Sequence, residues 1–289
     1  MRKLLLACWC CLCMSVATAD TIVYPRHQAT HDPQLDYVLA VLKLAVQKSG
    51  KRYTLRQSDI IMVQSRAIEE LARSNGSIDI IWTMTDADRE TRLLPIRIPI
   101  DKGLIGWRIA LLPPGRGELF SRVQTRQDLK PYTAGQMHDW PDTRILRDSG
   151  LKVETSSSYE ALFKQLATGR FDYFPRSVLE ISQELASHAE LELALEQHIV
   201  IEYPAAFYFF VSRQRPQLAA DLQRGLEAAI SDGSFDRLFH RQFDPVLKQL
   251  QLEKRTRIHL ENAWLPDSAP LNRQELWFAM PAPAPALQR

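Results

Sequence analysis

The sequence has 289 residues, with 36 lysines and arginines against 34 aspartates and glutamates. This balance leaves no basic footprint for a nucleic acid, and the length suits one large domain or two smaller ones. All four cysteines fall within residues 8–13. The remainder of the chain therefore has no disulfide, no thiolate nucleophile and no cysteine metal site.

The N-terminus has the pattern of a secretory signal. Arg2 and Lys3 precede an apolar run over residues 4–16, and an Ala-Thr-Ala tripeptide ending at Ala19 then supplies a small-residue cleavage site. We expect cleavage after Ala19, which removes the signal peptide 1–19 together with the cysteines. The mature protein is then expected in the periplasm.

Short strands alternate with amphipathic helices in the next part of the chain. Residues 21–24 are predicted to form a first strand, and apolar residues recur at helical spacing over residues 35–46 until Gly50 ends the run. A second helix over residues 65–73 leads into a strand at residues 78–82. This alternation is typical of α/β proteins with parallel sheets.

A second unit of the same kind follows a strand-like stretch at residues 104–112. Its helix begins at a capping box formed by Ser157 and Glu160. Gly169 separates this helix from a strand predicted at residues 171–174. The similarity of the two units indicates two lobes of related construction.

The last third of the chain first returns to the same pattern and then changes in composition. We predict strands at residues 199–203 and 207–212, a helix that begins at Pro216, and a short last helix over residues 235–243. Residues 246–289 form a proline-rich C-terminal extension. Its final Pro-Ala alternation is expected to be disordered, because it cannot build a core.

Three segments carry a family resemblance. They are residues 77–85 with Arg89 downstream, residues 128–129 before a strand, and residues 169–174 after the capped helix. With them the chain resembles, over about residues 20–245, the bacterial periplasmic solute-binding protein family 3. That family comprises the substrate-binding proteins of polar amino-acid ABC transporters.

The resemblance implies an α/β, two-lobed periplasmic binding protein-like type II fold, with two crossover strands as the hinge. Open α/β sheets bind ligands beyond the carboxyl ends of their strands, and closure of the lobes then buries the ligand. The implied division is the signal peptide 1–19, the first lobe 20–103 with its return 205–245, the hinges 104–108 and 199–204, the second lobe 109–198, and the extension 246–289.

The resemblance also implies where the ligand lies. In the family a threonine and an arginine hold the ligand's α-carboxylate, and Thr85 and Arg89 fall near those places. An aspartate of the second lobe holds the ligand's ammonium, but Ser177 stands there in this chain and follows Arg176. Two arginines without this aspartate favour an anionic or amino-acid-like ligand. Further candidate ligand-binding residues are Trp82, Trp140 and Arg26.

These features favour a receptor that captures a small polar ligand for an ABC importer, with an ABC permease as partner. Two alternatives stay open: an orphan sensor lobe that signals to a membrane partner, and a dehydratase-like cleft enzyme acting on a small carboxylic acid. No common catalytic or nucleotide-binding motif occurs. We expect a monomer without enzyme activity, nucleic-acid partner or cofactor. No metal site is expected either, because His27 and His31 lie in a proline-bracketed loop.

Overall fold

The computed structural model describes residues 20–27 and 34–280. The predicted signal peptide 1–19 with its cleavage site, His31 and the final Pro-Ala alternation lie outside these residues. Within the described ranges, no helix combines the length and apolar character needed to cross a membrane. Strands and helices alternate along the chain, and their sheets divide it into two lobes joined by paired strands.

The elements fall into three runs along the chain. The first run is β1 Asp20–Arg26, α1 Leu35–Lys48, β2 Tyr53–Ile61, α2 Gln64–Ala72, β3 Ile80–Met84, α3 Ala87–Arg92 and β4 Leu94–Ile96. The second run is β5 Trp107–Leu112, α4 Arg126–Leu129, β6 Thr133–Met137, α5 Pro141–Asp148, β7 Lys152–Ser156, α6 Tyr159–Ala167, β8 Phe174–Ser177, α7 Ile181–Ser187 and β9 Ala194–Leu195. The third run is β10 Ile199–Glu202, β11 Phe207–Val211, α8 Pro216–Ser231, α9 Ser234–Leu250 and β12 Thr256–His259.

The first lobe combines the first run with β11, α8 and α9 from the third. β1 pairs in parallel with β2, and β11 lies between β3 and β4, antiparallel to both. Every residue of β11 is buried. Successive side chains of a strand point to opposite faces, and Phe209 and Phe210 accordingly belong to two separate core clusters. The returning strand therefore joins the two halves of this lobe's core.

The second lobe contains the elements from β5 to β9. β6 pairs in parallel with β7, and β8 pairs antiparallel with β5. The capping residue of α6 is Ser158, one residue after the predicted Ser157, and its hydroxyl accepts a hydrogen bond from the N–H of Ala161. β8 begins three residues later than the predicted strand, and ahead of it the carboxylate of Asp172 accepts a hydrogen bond from the N–H of Thr133 at 2.9 Å.

Two strands run between the lobes and pair with each other. β5 leaves the first lobe and β10 returns towards it in antiparallel orientation, and β12 pairs in parallel with the other edge of β10. Just before β5, the carboxylate of Asp101 accepts hydrogen bonds from two backbone N–H groups of the turn that follows. Burial raises the pKa of this carboxyl group to about 7.

The chain beyond α9 is folded up to residue 280. α9 continues through Pro245 to Leu250, past its predicted end, because Phe243 and Leu247 keep its apolar face buried. Residues 251–280, which we name the C-terminal strap, then run over the connecting strands and both lobes. The composition of this segment alone indicated a proline-rich extension and nothing more.

The C-terminal strap contacts each part of the fold. Asn262 donates a hydrogen bond to a carbonyl oxygen of the chain between β10 and β11 at 2.9 Å. In the second lobe, the indole N–H of Trp264 donates to Asp148 at 2.7 Å. In the first lobe, Arg273 pairs with Glu227 at 2.7 Å. The strap therefore ties the two lobes and their connection together.

One close approach sets the packing of α8 on α1. A Cβ added to Gly225 would lie 1.9 Å from the carbonyl oxygen of Ala45. We expect Gly225→Ala to lower the free energy of unfolding by about 1–3 kcal/mol, because the helices must separate. Chemical denaturation followed by circular dichroism measures this change. Gly117→Ala is the control, since its added Cβ meets no atom within 4 Å; equal stability of the two variants would contradict the close packing.

Candidate ligand-binding cleft

A cavity of about 170 Å³ lies between the two lobes, and we name it the cleft. The first lobe contributes β3 and the starts of α1 and α2, while the second lobe contributes β8 and the starts of α5 and α7. A cavity of this size has room for several water molecules or one small organic molecule. The acidic residues and arginines that line it are Arg108, Asp139, Asp142, Arg176, Glu180 and Glu184.

β3 brings three consecutive residues, Trp82, Thr83 and Met84, to the cleft. The ring of Trp82 packs against Tyr24 and His27, with centroids 6.0 and 5.4 Å apart. Thr83 is fully buried, and its hydroxyl has no hydrogen-bond partner among the described residues. Because a buried hydroxyl without a partner costs free energy, Thr83 is a polar group available to a ligand.

Arg176 belongs to an ion cluster within the second lobe. Its Nη2 donates to Glu184 at 2.6 Å and to Glu180 at 2.9 Å, and its guanidinium carbon lies 4.5 Å from the ring centroid of Trp140. Burial alone would lower the pKa of Arg176, but the charges of the two glutamates outweigh it and raise the pKa well above the ordinary value. This arginine therefore stays charged and is already neutralised by the protein.

Arg108 belongs to a second ion cluster, at the start of β5. It pairs with Asp142 of α5, and its Nε donates to the hydroxyl of Tyr203 at 3.0 Å. The same tyrosine hydroxyl donates to Asp142. Burial acts to lower the pKa of Arg108, but the neighbouring negative groups, first among them Asp142, raise it on balance. The cluster fixes α5 against the connecting strands.

Hydrogen bonds run directly from one lobe to the other. They link Gln34 to Glu180 at 2.6 Å, the N–H of Ser65 to Asp139 at 3.2 Å, and Arg144 to Asp86. Since donor and acceptor belong to different lobes, these bonds form only when the lobes are close together. The structure therefore has its lobes in a closed arrangement.

A second cavity, of about 420 Å³, lies between α2 and α3 of the first lobe and α5 of the second. Arg89 lines this cavity and pairs with Asp86, and its Nη2 donates to Gln64 at 3.1 Å. Its Nε is buried and has no hydrogen-bond partner among the residues that the structure describes. Burial lowers the pKa of this guanidinium. Asp86 also accepts from Arg144, so this cavity belongs to the contact between the lobes.

Comparison with known proteins identifies the fold. No protein-family profile and no curated protein matches the sequence. Solved structures do match: an ancestral arginine-binding protein bound to arginine has 15% identity, with 78% of this chain and 98% of that chain covered and a TM-score of 0.57. An arginine-specific periplasmic binding protein of Salmonella typhimurium has 16% identity, coverage of 78% and 100%, and a TM-score of 0.58. The chain has the two-lobed type II periplasmic binding fold.

A third solved structure with this binding fold is an ancestral amino acid-binding protein, a precursor of cyclohexadienyl dehydratase. It has 14% identity, coverage of 77% of this chain and 95% of that chain, and a TM-score of 0.54. Identities this low establish the fold alone. The structural matches confirm the two-lobed fold that was predicted from residues 77–85 and 169–174.

The binding fold brings some of the predicted site residues together. Trp82, Trp140 and Arg176, which were predicted to face the cleft, are among the residues that line it. Arg89 does not line the cleft, since it lies in the second cavity. The expected pairing of Arg89 and Arg176 around one ligand therefore does not occur in this arrangement.

The remaining predicted residues, Thr85, Ser177 and Arg26, do not line the cleft. Thr85 follows the last residue of β3, and its hydroxyl donates a hydrogen bond to Glu90 at 2.7 Å within the first lobe. The hydroxyl of Ser177 donates to the carbonyl of Leu104 at 3.3 Å. Arg26 is exposed at the end of β1.

Sequence reasoning missed most of the polar lining of the cleft. Asp139 and Asp142 were considered from sequence as possible cleft acids but could not be placed, and the missed residues are Gln34, Gln64, Thr83, Arg108, Tyr159, Glu180 and Glu184. One signal relates two of them, since Glu180 and Glu184 are four residues apart at the start of α7, and such positions are neighbours on a helix. No comparable local pattern marks Arg108 and Asp142, which meet only in the folded protein.

Proposed function

We propose that this chain is a periplasmic solute-binding protein that closes its lobes around a small polar ligand and delivers it to an ABC importer. The observation that carries the proposal is the cleft, which both lobes line and to which Thr83 presents a buried hydroxyl with no partner in the described part of the chain. Ligand sites combine aromatic and apolar walls with a few placed polar groups. Trp82, Trp140 and Met84 supply such walls here.

The fold and the N-terminus support the same proposal. Solved structures that share the fold include an ancestral protein captured with arginine and also with glutamine. A signal peptide ending at Ala19 would export the chain to the periplasm. There a receptor meets its solute, and an ABC permease in the inner membrane would be its partner.

The proposed mechanism is a shift between open and closed lobes. Residues 104–108 and 199–204 lie on or beside the paired strands β5 and β10, and we assign them as the hinge. Bonds such as Gln34 to Glu180 form in the closed arrangement, and a ligand adds contacts to both lobes at once. Its higher affinity for the closed state would drive closure.

The ionisable groups of the cleft favour binding over acid–base catalysis. Burial, and then the charge of Glu184, raises the pKa of Tyr159 far above its ordinary value. The pKa values of Arg108 and Arg176 are raised as well. A general acid or base works best with a pKa near the operating pH, and these shifts lead away from neutrality. Arg108, Tyr159 and Arg176 are therefore poorly suited to act as the general acid or base of a dehydratase-like enzyme.

A thermal-denaturation screen tests the proposal with the chain that begins at Asp20. Amino acids, amines and dicarboxylates are the probes, and a ligand at a hundred times its dissociation constant should stabilise the fold by about 2.7 kcal/mol. Small-angle scattering of each hit should show a smaller radius of gyration. The control for each hit is a solute of the same charge that does not change the midpoint of thermal denaturation. Tight binding with an unchanged radius would contradict the closing mechanism.

A further inference from the structure

The chemistry of the cleft points to a class of ligand. We propose that the cleft selects a small organic cation, with an ammonium or guanidinium group, and does not require a carboxylate on the ligand. This inference rests on the proposed receptor function and names the solute that the receptor takes. The sequence favoured an anionic or amino-acid-like ligand, whereas this inference assigns a cationic one.

Acidic groups outnumber arginines around the cleft. Of the described residues that line it, four are carboxylates and two are arginines, which leaves a formal excess of two negative charges when His27 is neutral. Asp142 and Glu184 are buried, and water screens buried charges only weakly. A cation in the cleft would offset it, and an anion would add to it.

The two arginines are already neutralised by protein carboxylates. Arg176 is held by Glu180 and Glu184, and Arg108 is held by Asp142 and the hydroxyl of Tyr203. A ligand carboxylate placed on either guanidinium would lie beside these acidic groups and be repelled by them. Arg89, whose Nε has no partner among the described residues, lines the second cavity instead.

Two acceptor oxygens beside the cleft lack a partner among the described residues. They are the hydroxyl oxygen of Thr83, on a fully buried residue of the first lobe, and Oδ1 of Asp139 in the second lobe, a residue that lines both the cleft and the second cavity. Both atoms can accept hydrogen bonds from the N–H groups of a cation. The aromatic face of Trp82 adds a surface that attracts cations. A ligand cation would thus be held by both lobes.

Pairs of solutes that share a cation and differ in one carboxylate test this inference. We expect cadaverine to bind more tightly than L-lysine, and agmatine more tightly than L-arginine, by about tenfold or more. The reason is that the carboxylate of each amino acid would meet no unpaired guanidinium in the cleft. L-Glutamate is expected not to bind. Isothermal titration calorimetry with the chain that begins at Asp20 measures all five.

Two variants locate the cation. Asp139→Asn keeps an oxygen for the N–H of Ser65 and removes the charge, so we expect amine affinity to fall about tenfold. Thr83→Val keeps the shape of the side chain and should weaken amine binding by a similar factor. Its melting temperature without ligand should be unchanged or higher, because the lost hydroxyl has no partner. Glu154→Gln, an exposed acid on β7, is the control with unchanged affinity.

The outcomes separate this inference from the receptor proposal. Tight binding of L-glutamate, or tighter binding of the amino acids than of the amines, overturns the cation inference. The receptor proposal survives that result if scattering still shows closure. Failure of all four cations to bind also overturns the inference. An amine that binds without compaction supports the cation site and overturns the closing receptor.

Discussion

A chain that ends after Leu250 is expected to lose most of its stability, although both lobes remain complete. The truncation removes the C-terminal strap with its buried side chains Ile258, Leu260 and Leu276. Burial of one such side chain contributes about 1.5–3 kcal/mol, so the three together contribute roughly 5–9 kcal/mol. The whole stability of a domain is about 5–15 kcal/mol. The loss is therefore comparable with the total.

The strap also covers the part of the chain that leads into β5. The ring of Trp277 lies so close to Gly103 that an added Cβ would be 2.6 Å from it, and the N–H of Phe278 donates to the carbonyl of Lys102 at 2.7 Å. Without β12, the edge of β10 would lose its parallel partner. Exposed strand edges promote association between chains, so the shortened protein should also aggregate more readily.

Chemical denaturation followed by circular dichroism and tryptophan fluorescence measures the effect. The matched control is a chain that ends after Met280, which keeps the whole strap and should retain the stability of the full chain. If the chain ending after Leu250 is insoluble, Leu276→Ala tests the same contact, with an expected loss of about 2–5 kcal/mol. Equal stability of both truncated chains would show that the strap contributes nothing.

Replacing Arg176 with methionine is expected to lower the free energy of unfolding by about 3–5 kcal/mol. The substitution leaves Glu184, which is 2% exposed, and Glu180 without the guanidinium that neutralises them. Methionine fills similar space beside Trp140, so lost packing contributes little to the effect. The cost arises from buried carboxylates without a cation. Urea denaturation at neutral pH measures it.

Two comparisons make this prediction specific. The double variant Arg176→Met with Glu184→Gln should recover part of the loss, because one buried charge is removed together with its partner. Arg73→Met breaks an exposed pair with Glu70 and should change stability by less than about 1 kcal/mol. Equal losses in Arg176→Met and Arg73→Met would contradict the structural role assigned to the buried cluster.

The two site predictions that concern ligand charge show where local reasoning succeeds and fails. Arg176 was predicted at a strand-to-helix turn facing the cleft, and it lines the cleft from the end of β8, shortly before α7 begins. Its partners Glu180 and Glu184 were not recognised. Because they pair with Arg176, this arginine belongs to an internal ion cluster and is not a free site for an anion. Arg89 was predicted from its resemblance to the family's carboxylate-binding arginine, but it pairs with Asp86 in the second cavity.

Local sequence determined the elements and, through residues 77–85 and 169–174, the two-lobed fold. Helices such as α1 follow from apolar spacing within one segment, because their hydrogen bonds join residues four apart. Tertiary structure alone decided the character of the cleft and the role of the strap. Arg108 meets Asp142, and Trp264 meets Asp148, across many intervening residues. Such contacts depend on how whole elements pack, and no short pattern in the sequence encodes that packing.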